Sequence, residues 1–331
     1  MTNADIAQKL GISVTAVSLA LNNKPGVSDK TREKVRVLKS GDFHQNYMQQ
    51  NFTIQFIVHK KHGEIIDDKP FFNNLIGTIQ QEAMFHSYQL NIIHYSNEMN
   101  LEDFVKSISL SNIVGTIILA TEMTEDDLAI YNLLSQPLVL LDASFDLSDF
   151  DSVTINNKDA VFQAVAYAYN LGHKSIGYLR SSVSISNFDH RYDGYRSALR
   201  HFELEDYYRP CFYLHCSINQ SYEDMKQILS SEDIVLPSIF LCDLDYIALG
   251  ASKALIETGY HIPEDISIIG FDDISASQVF QPPLTTIHVN RDDIGKIAVQ
   301  VLHERIQNPM QAHITTQISA YIVPRSSVSS L

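Results

Sequence analysis

Only three cysteines occur in the 331 residues, Cys211, Cys216 and Cys242, too few and too irregularly placed for a disulfide framework, and no Cys-x-x-Cys or Cys/His zinc spacing is found. A reducing compartment is expected. No window approaches the roughly 18 uninterrupted apolar residues of a membrane span. The opening stretch Met-Thr-Asn-Ala-Asp-Ile-Ala-Gln-Lys also lacks the apolar core of a signal peptide, so a cytoplasmic protein with no membrane contact is expected. Signals of catalysis are missing as well: no GxSxG, no Gly-rich phosphate loop and no HExxH, hence the expectation of no enzyme and no cofactor. His59 and His62 read as two solvated histidines at a strand end and not as a metal site. Basic residues are scarce, with Lys+Arg 24 against Asp+Glu 39 and a formal charge of -15, which argues against a molecule that coats nucleic acid over its whole surface.

The charge is unevenly spread. Residues 1–50 hold seven Lys/Arg against four Asp/Glu, so a small basic head precedes an acidic body. In the head, Ile6, Ala7 and Leu10 form a narrow apolar helical stripe that Gly11 breaks. Ser13 suits the N-cap of a second helix with Val14, Val17 and Leu21 at helical spacing. Asn22-Asn23-Lys24-Pro25-Gly26 is a turn cluster, and Ser28 suits the cap of a third helix carrying Thr31, Val35 and Leu38. This is helix-turn-helix organisation, although periodicity alone fits a bland three-helix mini-domain equally well.

The residues themselves add a resemblance. Asp5-Ile6-Ala7, Gly11-Ile12-Ser13, Ala16-Val17-Ser18, Leu21-Asn22, Pro25-Gly26-Val27-Ser28 and Thr31-Arg32-Glu33-Lys34-Val35 resemble the N-terminal signature of the LacI/GalR (lactose-repressor/galactose-repressor) family of bacterial transcriptional regulators. The resemblance implies that the second helix enters the major groove of double-stranded operator DNA. By position it assigns base contacts to Val14, Thr15 and Leu19, and phosphate contacts to Ser13, Ser18, Asn22, Ser28 and Thr31. Thr15 can hydrogen-bond a base edge, whereas Val14 and Leu19 can pack only on apolar surface such as a thymine methyl. Leu19 stands where many members carry Arg, so an operator read more by apolar contact and shape than by guanine is expected; alternatively Leu19 extends the buried stripe.

After the head, the family has a hinge helix whose Leu wedges into the minor groove. Phe52 falls at that position and is a suitable wedge. Yet the usual proline is absent, Gln49-Gln50 replaces an Ala-Arg pair, and Phe52 to Val58 reads as strand, so Phe52 merely starting the first strand is the other reading.

Beyond Phe56, apolar runs alternate with helical patterns: Phe56–Val58, Leu90–Ile93, Thr116–Leu119, Leu138–Leu141, Ile176–Leu179, Ser238–Leu241 and Ile266–Ile269. Strand then helix, repeated, predicts parallel sheets covered on both faces, and the length predicts two lobes. The family resemblance continues through Gly115-Thr116-Ile117-Ile118, Asp142, Leu171-Gly172-His173, Arg191 with Gly194-Tyr195, Gly270-Phe271-Asp272-Asp273 and Pro282 to Ile287. The implied fold class is α/β: an all-helical helix-turn-helix head plus a two-lobed body similar to type I periplasmic binding proteins, with two Rossmann-like parallel sheets. The expected domains are a head at 1–46, a hinge at 47–53 and an effector-binding and dimerisation body at 54–331. The lobes are expected at about 54–156 with 288–311, and about 157–287 with 312–331.

By resemblance, a cleft between the lobes holds a sugar-like effector. Arg191 would offer a fork of donors, Asp272 would accept from paired hydroxyls, and Phe71 and Phe72 would cover an apolar face. Each has a plainer reading: Arg191 in a surface ion pair, Asp272 as a turn cap, the Phe pair as core. The family commonly has Asn where this chain has Leu244, so either Asp243 supplies the polar contact or the effector is not the usual hexose. The whole implies a homodimeric repressor of carbohydrate-related genes. A regulator with an inactive or non-sugar effector site is the alternative, and a solute-binding protein is further off. No heptad tail is present, so a coiled-coil tetramer is not expected.

Overall fold

The computed structural model describes residues 3–22, 24, 26–28, 31, 32, 35, 52–66, 70–108, 112–146, 148–231 and 233–331; the side chains at 4, 5, 8, 9, 70–73, 101 and 102 lie outside that description. Helices α1 (Asn3–Leu10) and α2 (Val14–Leu21) pack together, and Thr31, Arg32 and Val35 are helical. Gly11 joins α1 to α2 at φ +61, the left-handed region that favours glycine. Ile6, Ala7, Val17, Ala20 and Val35 form the buried core, flanked by Leu10, Ile12, Leu21 and Val27. The stripe on α2 therefore runs through Val17, Ala20 and Leu21, while Val14 is 51% exposed. Leu38 lies outside the described residues.

The body is two six-stranded sheets. The first contains β1 (Thr53–Lys60), β2 (Gln89–Ser96), β3 (Ile113–Leu119), β4 (Leu138–Leu141), β5 (Asp151–Ile155) and β11 (Thr315–Ile318), in the order β11-β5-β4-β3-β1-β2, every pair parallel. The second contains β6 (Ile176–Ser181), β7 (Cys211–Leu214), β8 (Ile239–Cys242), β9 (Ser267–Asp272), β10 (Thr285–His288) and β12 (Tyr321–Val323), in the order β12-β10-β9-β8-β6-β7. Only β12 runs antiparallel to its neighbour among these described pairs. Both faces are covered. On β1, Ile54, Phe56 and Val58 enter one core while Ile57 enters another, and on β8 Ile239 and Leu241 diverge from Phe240 and Cys242 in the same way. The seven apolar runs all fall on strands to within one residue; the other five strands are short, and β5, β10 and β11 mix polar residues with apolar ones.

Helices α3 (Pro70–Phe85), α4 (Leu101–Ile108) and α5 (Leu128–Tyr131) cover the first sheet, and α11 (Arg291–Gln307) packs against α3. Around the second sheet lie α6 (Asn157–Asn170), α7 (Ser186–His201), α8 (Ile218–Leu229), α9 (Asp245–Glu257) and the short α10 (Ser275–Val279). The chain passes between lobes after β5, after β10, and between β11 and β12. That third crossing lies at 319–320, beyond the expected 312, because β11 pairs with β5 of the first lobe before the chain leaves it. Arg305 and Asp151 fasten the segment between: Arg305 Nε and Nη2 donate to the two Asp151 oxygens at 2.7 and 2.8 Å, and Arg305 also donates to the carbonyl of Ala312 at 2.8 Å.

Two local expectations change. Phe52 packs against the body core, and its carbonyl accepts the Gln89 N–H at 2.8 Å, so it extends β1 and not a hinge; residues 47–51 lie outside the described residues. His59 is fully buried, with Nδ1 2.7 Å from the Tyr131 hydroxyl, because β1 is covered on both faces; burial pushes its imidazole down to about 4. His62 remains largely exposed, 3.4 Å from Glu122.

Candidate functional site

The first turn of α2 projects from the head. Ser13 caps the helix, accepting the Ala16 N–H at 3.1 Å, and Ser28 accepts the Thr31 N–H at 3.1 Å while its hydroxyl lies 2.8 Å from Thr31 Oγ1. A hydroxyl that accepts from backbone still has its own proton to donate, so capping leaves Ser13 able to meet a phosphate oxygen. Val14, Thr15 and Asn22 are exposed; Ser18 is half-buried, and its carbonyl accepts from Asn22 Nδ2 at 2.8 Å. Leu19 is half-buried too, but it lies outside the head core and its Cδ1 rests beside Gly26. It therefore does not extend the buried stripe.

The second site lies between the lobes at the carboxyl ends of the strands, where open parallel sheets place ligands. Asp142 follows β4, Asp243 follows β8, and Asp272 ends β9. Ile65, Thr121, Asp142 and Ile155 of the first lobe face Ile185, Asn187, Phe188, Arg191, Leu244, Tyr246, Asp272 and Ile274 of the second. The part that a water molecule's centre can occupy is about 40 Å3, room for about three waters. A drug-sized ligand has to part the lobes.

Arg191, on α7, is buried. Its Nε donates to Asn157 Oδ1 at 2.8 Å, its Nη1 donates to the Asp243 carbonyl, its Nη2 stands 3.9 Å from Asp272, and its guanidinium lies 3.5 Å from the centroid of the Phe271 ring. Asn157 Nδ2 donates to Asn187 Oδ1 at 2.9 Å, and Asn187 Nδ2 donates to the Asp142 carbonyl at 2.9 Å. A chain of hydrogen bonds thus runs from Arg191 through the first crossing to the opposite lobe. The structure brings Arg191 and Asp272 together at the cleft, with Arg191 inside and not in a surface pair. Asp243 it turns away: the carboxylate accepts from the Tyr178 hydroxyl and the Ser181 N–H, both at 2.8 Å, while Leu244 takes the cleft. Phe71 and Phe72 lie on the first turn of α3, where the side chains are outside the described residues.

Sequence reasoning gave no site role to four further residues here, Asp142, Asn157, Asn187 and Thr121. Two had a readable signal: Asp142 ends an apolar strand run, and Asn187 stands four before Arg191 on one helix face. Thr121 Oγ1 donates to Asp142 Oδ2 at 2.6 Å, whereas Asp142 Oδ1 is buried without a hydrogen-bond partner among the described residues. Burial pushes the Asp142 carboxyl up to about 6, against the hydrogen bond from Thr121 and the charge of Arg191. Asp142 and Asp272 hold positive φ of 67 and 110, a strained backbone for residues other than glycine.

Two more carboxylates hold the lips. Glu122 accepts five backbone N–H groups, those of Lys61, His62, Gly63, Ile65 and Ile66, at 2.8–3.1 Å. Asp245 accepts the Ile274 N–H at 2.9 Å and the hydroxyls of Ser277 and Thr286 at 2.7 and 2.5 Å. A Cβ on Gly270 would fall 2.1 Å from Asp245 Oδ1, so this position has room only for glycine.

The described residues form a small helical head and a two-lobed α/β body with a cleft between the lobes. The family model for "Bacterial regulatory proteins, lacI family" matches residues 2–46, and that for a periplasmic binding protein-like domain matches 165–328. The head is thus similar to the LacI family and the body to periplasmic binding proteins. It is 28% identical over 335 residues to the HTH-type transcriptional repressor PurR of Mannheimia succiniciproducens, covering 100% of this chain and 99% of that one. The PurR repressor of Pasteurella multocida is also 28% identical, covering 99% of each. Among solved structures, the lac repressor dimer bound to operator and the anti-inducer ONPF matches with TM-score 0.73 and 23% identity over 99% of both chains. A LacI family regulator from Enterococcus faecium with bound ribose matches with TM-score 0.70 and 22% identity over 84% of this chain and 99% of that one.

Proposed function

We propose that the protein is a sequence-specific transcriptional repressor that binds double-stranded operator DNA as a homodimer, its affinity set by a small-molecule effector in the interlobe cleft. The observation that carries this reading is the pairing, on one chain, of an exposed α2 first turn with a cleft whose walls are bridged by the Arg191–Asn157–Asn187 network. In this reading Val14, Thr15 and Leu19 meet bases, and Ser13, Ser18, Asn22, Ser28 and Thr31 meet phosphates. The repressors of similar length named above support the repressor role. An effector acts by binding one lobe arrangement better than the other. Of the two effector readings, the cleft favours a non-sugar ligand over carbohydrate, because Leu244 stands where the family commonly has Asn and six of the twelve lining residues are hydrocarbon.

Selection of bound duplexes from a random pool with the full-length protein tests the DNA role. The expected product is a two-fold symmetric sequence, and Thr15→Ala should relax preference at one base pair per half-site by about 1–3 kcal/mol. Absence of any enriched sequence overturns the reading.

A further inference from the structure

Resting on the cleft reading above, the lining narrows the effector's chemistry. Six of the cleft side chains, Ile65, Ile155, Ile185, Phe188, Leu244 and Ile274, are hydrocarbon, so the body of the ligand that fills this space is apolar. The polar residues around it are largely engaged with one another. Thr121 donates to Asp142 Oδ2, Asn187 donates to the Asp142 carbonyl, and Arg191 binds Asn157 and the Asp243 carbonyl while facing Asp272. What is left is an acceptor: Asp142 lines the cleft, and its buried Oδ1 atom makes no hydrogen bond among the described residues, although Asn187 stands close to the carboxyl.

The charge points the same way. Two carboxylates, Asp142 and Asp272, line the cleft against one guanidinium, that of Arg191. Arg291 approaches from outside the lining and donates to the Asp272 carbonyl at 2.5 Å. A ligand anion would meet this excess of negative charge with Arg191 already faced by Asp272. A polyol needs acceptors and donors spread around a ring, and Leu244 can supply neither.

We propose that the cleft takes a small organic cation, an ammonium group on an apolar body, with Asp142 Oδ1 as the acceptor for its N–H. Burial, with Asp272 nearby, raises the Asp142 carboxyl to about 6 despite Thr121 and Arg191, and a cation beside it would favour the charged form.

The test measures binding to the full-length protein by calorimetry with four probes: 3-methylbutylamine, its neutral isostere 3-methylbutanol, the anion 3-methylbutanoate, and ribose. The amine is expected to bind at least about tenfold more tightly than the alcohol, as a charge-assisted hydrogen bond requires, with no binding of the anion. Asp142→Asn should remove that preference while the unfolding midpoint shows the variant folded. Leu244→Asn gives an independent reading, since it should weaken the amine and bring in ribose. Binding of ribose or the anion ahead of the amine in the wild type overturns the proposal and leaves the effector reading standing. Amine binding that Asp142→Asn leaves unchanged, or no binding by any probe, overturns it as well. If the amine binds as expected and operator affinity does not respond, the effector reading falls and this assignment survives.

Discussion

On the first lobe, Glu122 gathers five backbone N–H groups of the 61–66 loop; on the second, Asp245 gathers one backbone N–H and two hydroxyls around residues 272–286. Both are buried, and each holds an isoleucine in the cleft, Ile65 or Ile274. Their ionisation nevertheless goes opposite ways. Burial pushes the Glu122 carboxyl up, but the N–H groups of Gly63, His62 and Ile65 outweigh it and the net shift is downward. For Asp245, burial dominates, the hydroxyls resist it weakly, nearby Asp272 adds to it, and the carboxyl rises to about 7. Backbone N–H groups can only donate and so demand a carboxylate, whereas hydroxyls reverse their roles and accept from a protonated acid. Burial raises both carboxyls: at Glu122 the backbone N–H groups outweigh it, whereas at the more deeply buried Asp245 two hydroxyls and one N–H, opposed by nearby Asp272, do not.

The largest expected effect follows from breaking the irreversible side. Glu122→Gln presents an NH2 to backbone N–H groups that cannot accept from it, leaving buried donors unsatisfied. A loss of about 3–5 kcal/mol is expected, read from urea unfolding. A loss below about 1 kcal/mol would show that the five contacts do not depend on ionisation.

Asp245→Asn probes the reversible side. Its NH2 can donate to Thr286 while its oxygen accepts from Ile274 and Ser277, reproducing the protonated acid, so at pH 5 the variant should lie within about 1 kcal/mol of the wild type. Because the folded carboxyl is raised above its unfolded value of 3.8 to about 7, the stabilisation is full below about pH 4 and lost as pH rises through 7. Between pH 5 and 8 the wild type should therefore lose on the order of 2 kcal/mol relative to the variant, read as a difference in unfolding midpoints. A constant difference would refute the raised carboxyl. The smallest effect sharpens the contrast: Ser277→Ala removes one hydroxyl donor and should cost about 1 kcal/mol, moving the pH window upward, since that hydroxyl favours the carboxylate.

Much of the architecture was legible in residue order because strand runs such as Thr116–Leu119 and Leu138–Leu141 are nearly pure hydrocarbon. Strand β5 was not, since Asp151, Ser152 and Thr154 break up its apolar residues; buried Asp151 is paired there by Arg305 from 154 residues away. Arg191 and Asp272 were legible through resemblance, and Asp243 was misplaced through the same reasoning. Its position at the end of β8 turns it toward Tyr178, and no local pattern reveals which way that strand end faces.

By itself, then, the sequence determined the periodicities: a basic helical head with its caps, and a body of parallel strands and helices in two lobes. These are properties of neighbours along the chain, fixed by propensity, capping and alternation. The tertiary structure alone decided which polar groups lack a partner and which carboxylates keep their charge. Glu122 meets donors 56–61 residues away, Asp142 meets Thr121 across 21 residues and Asn187 across 45, and Asp245 meets Thr286 across 41. Hydrogen bonding and desolvation act through space, over a few ångströms, and only folding brings those groups within reach.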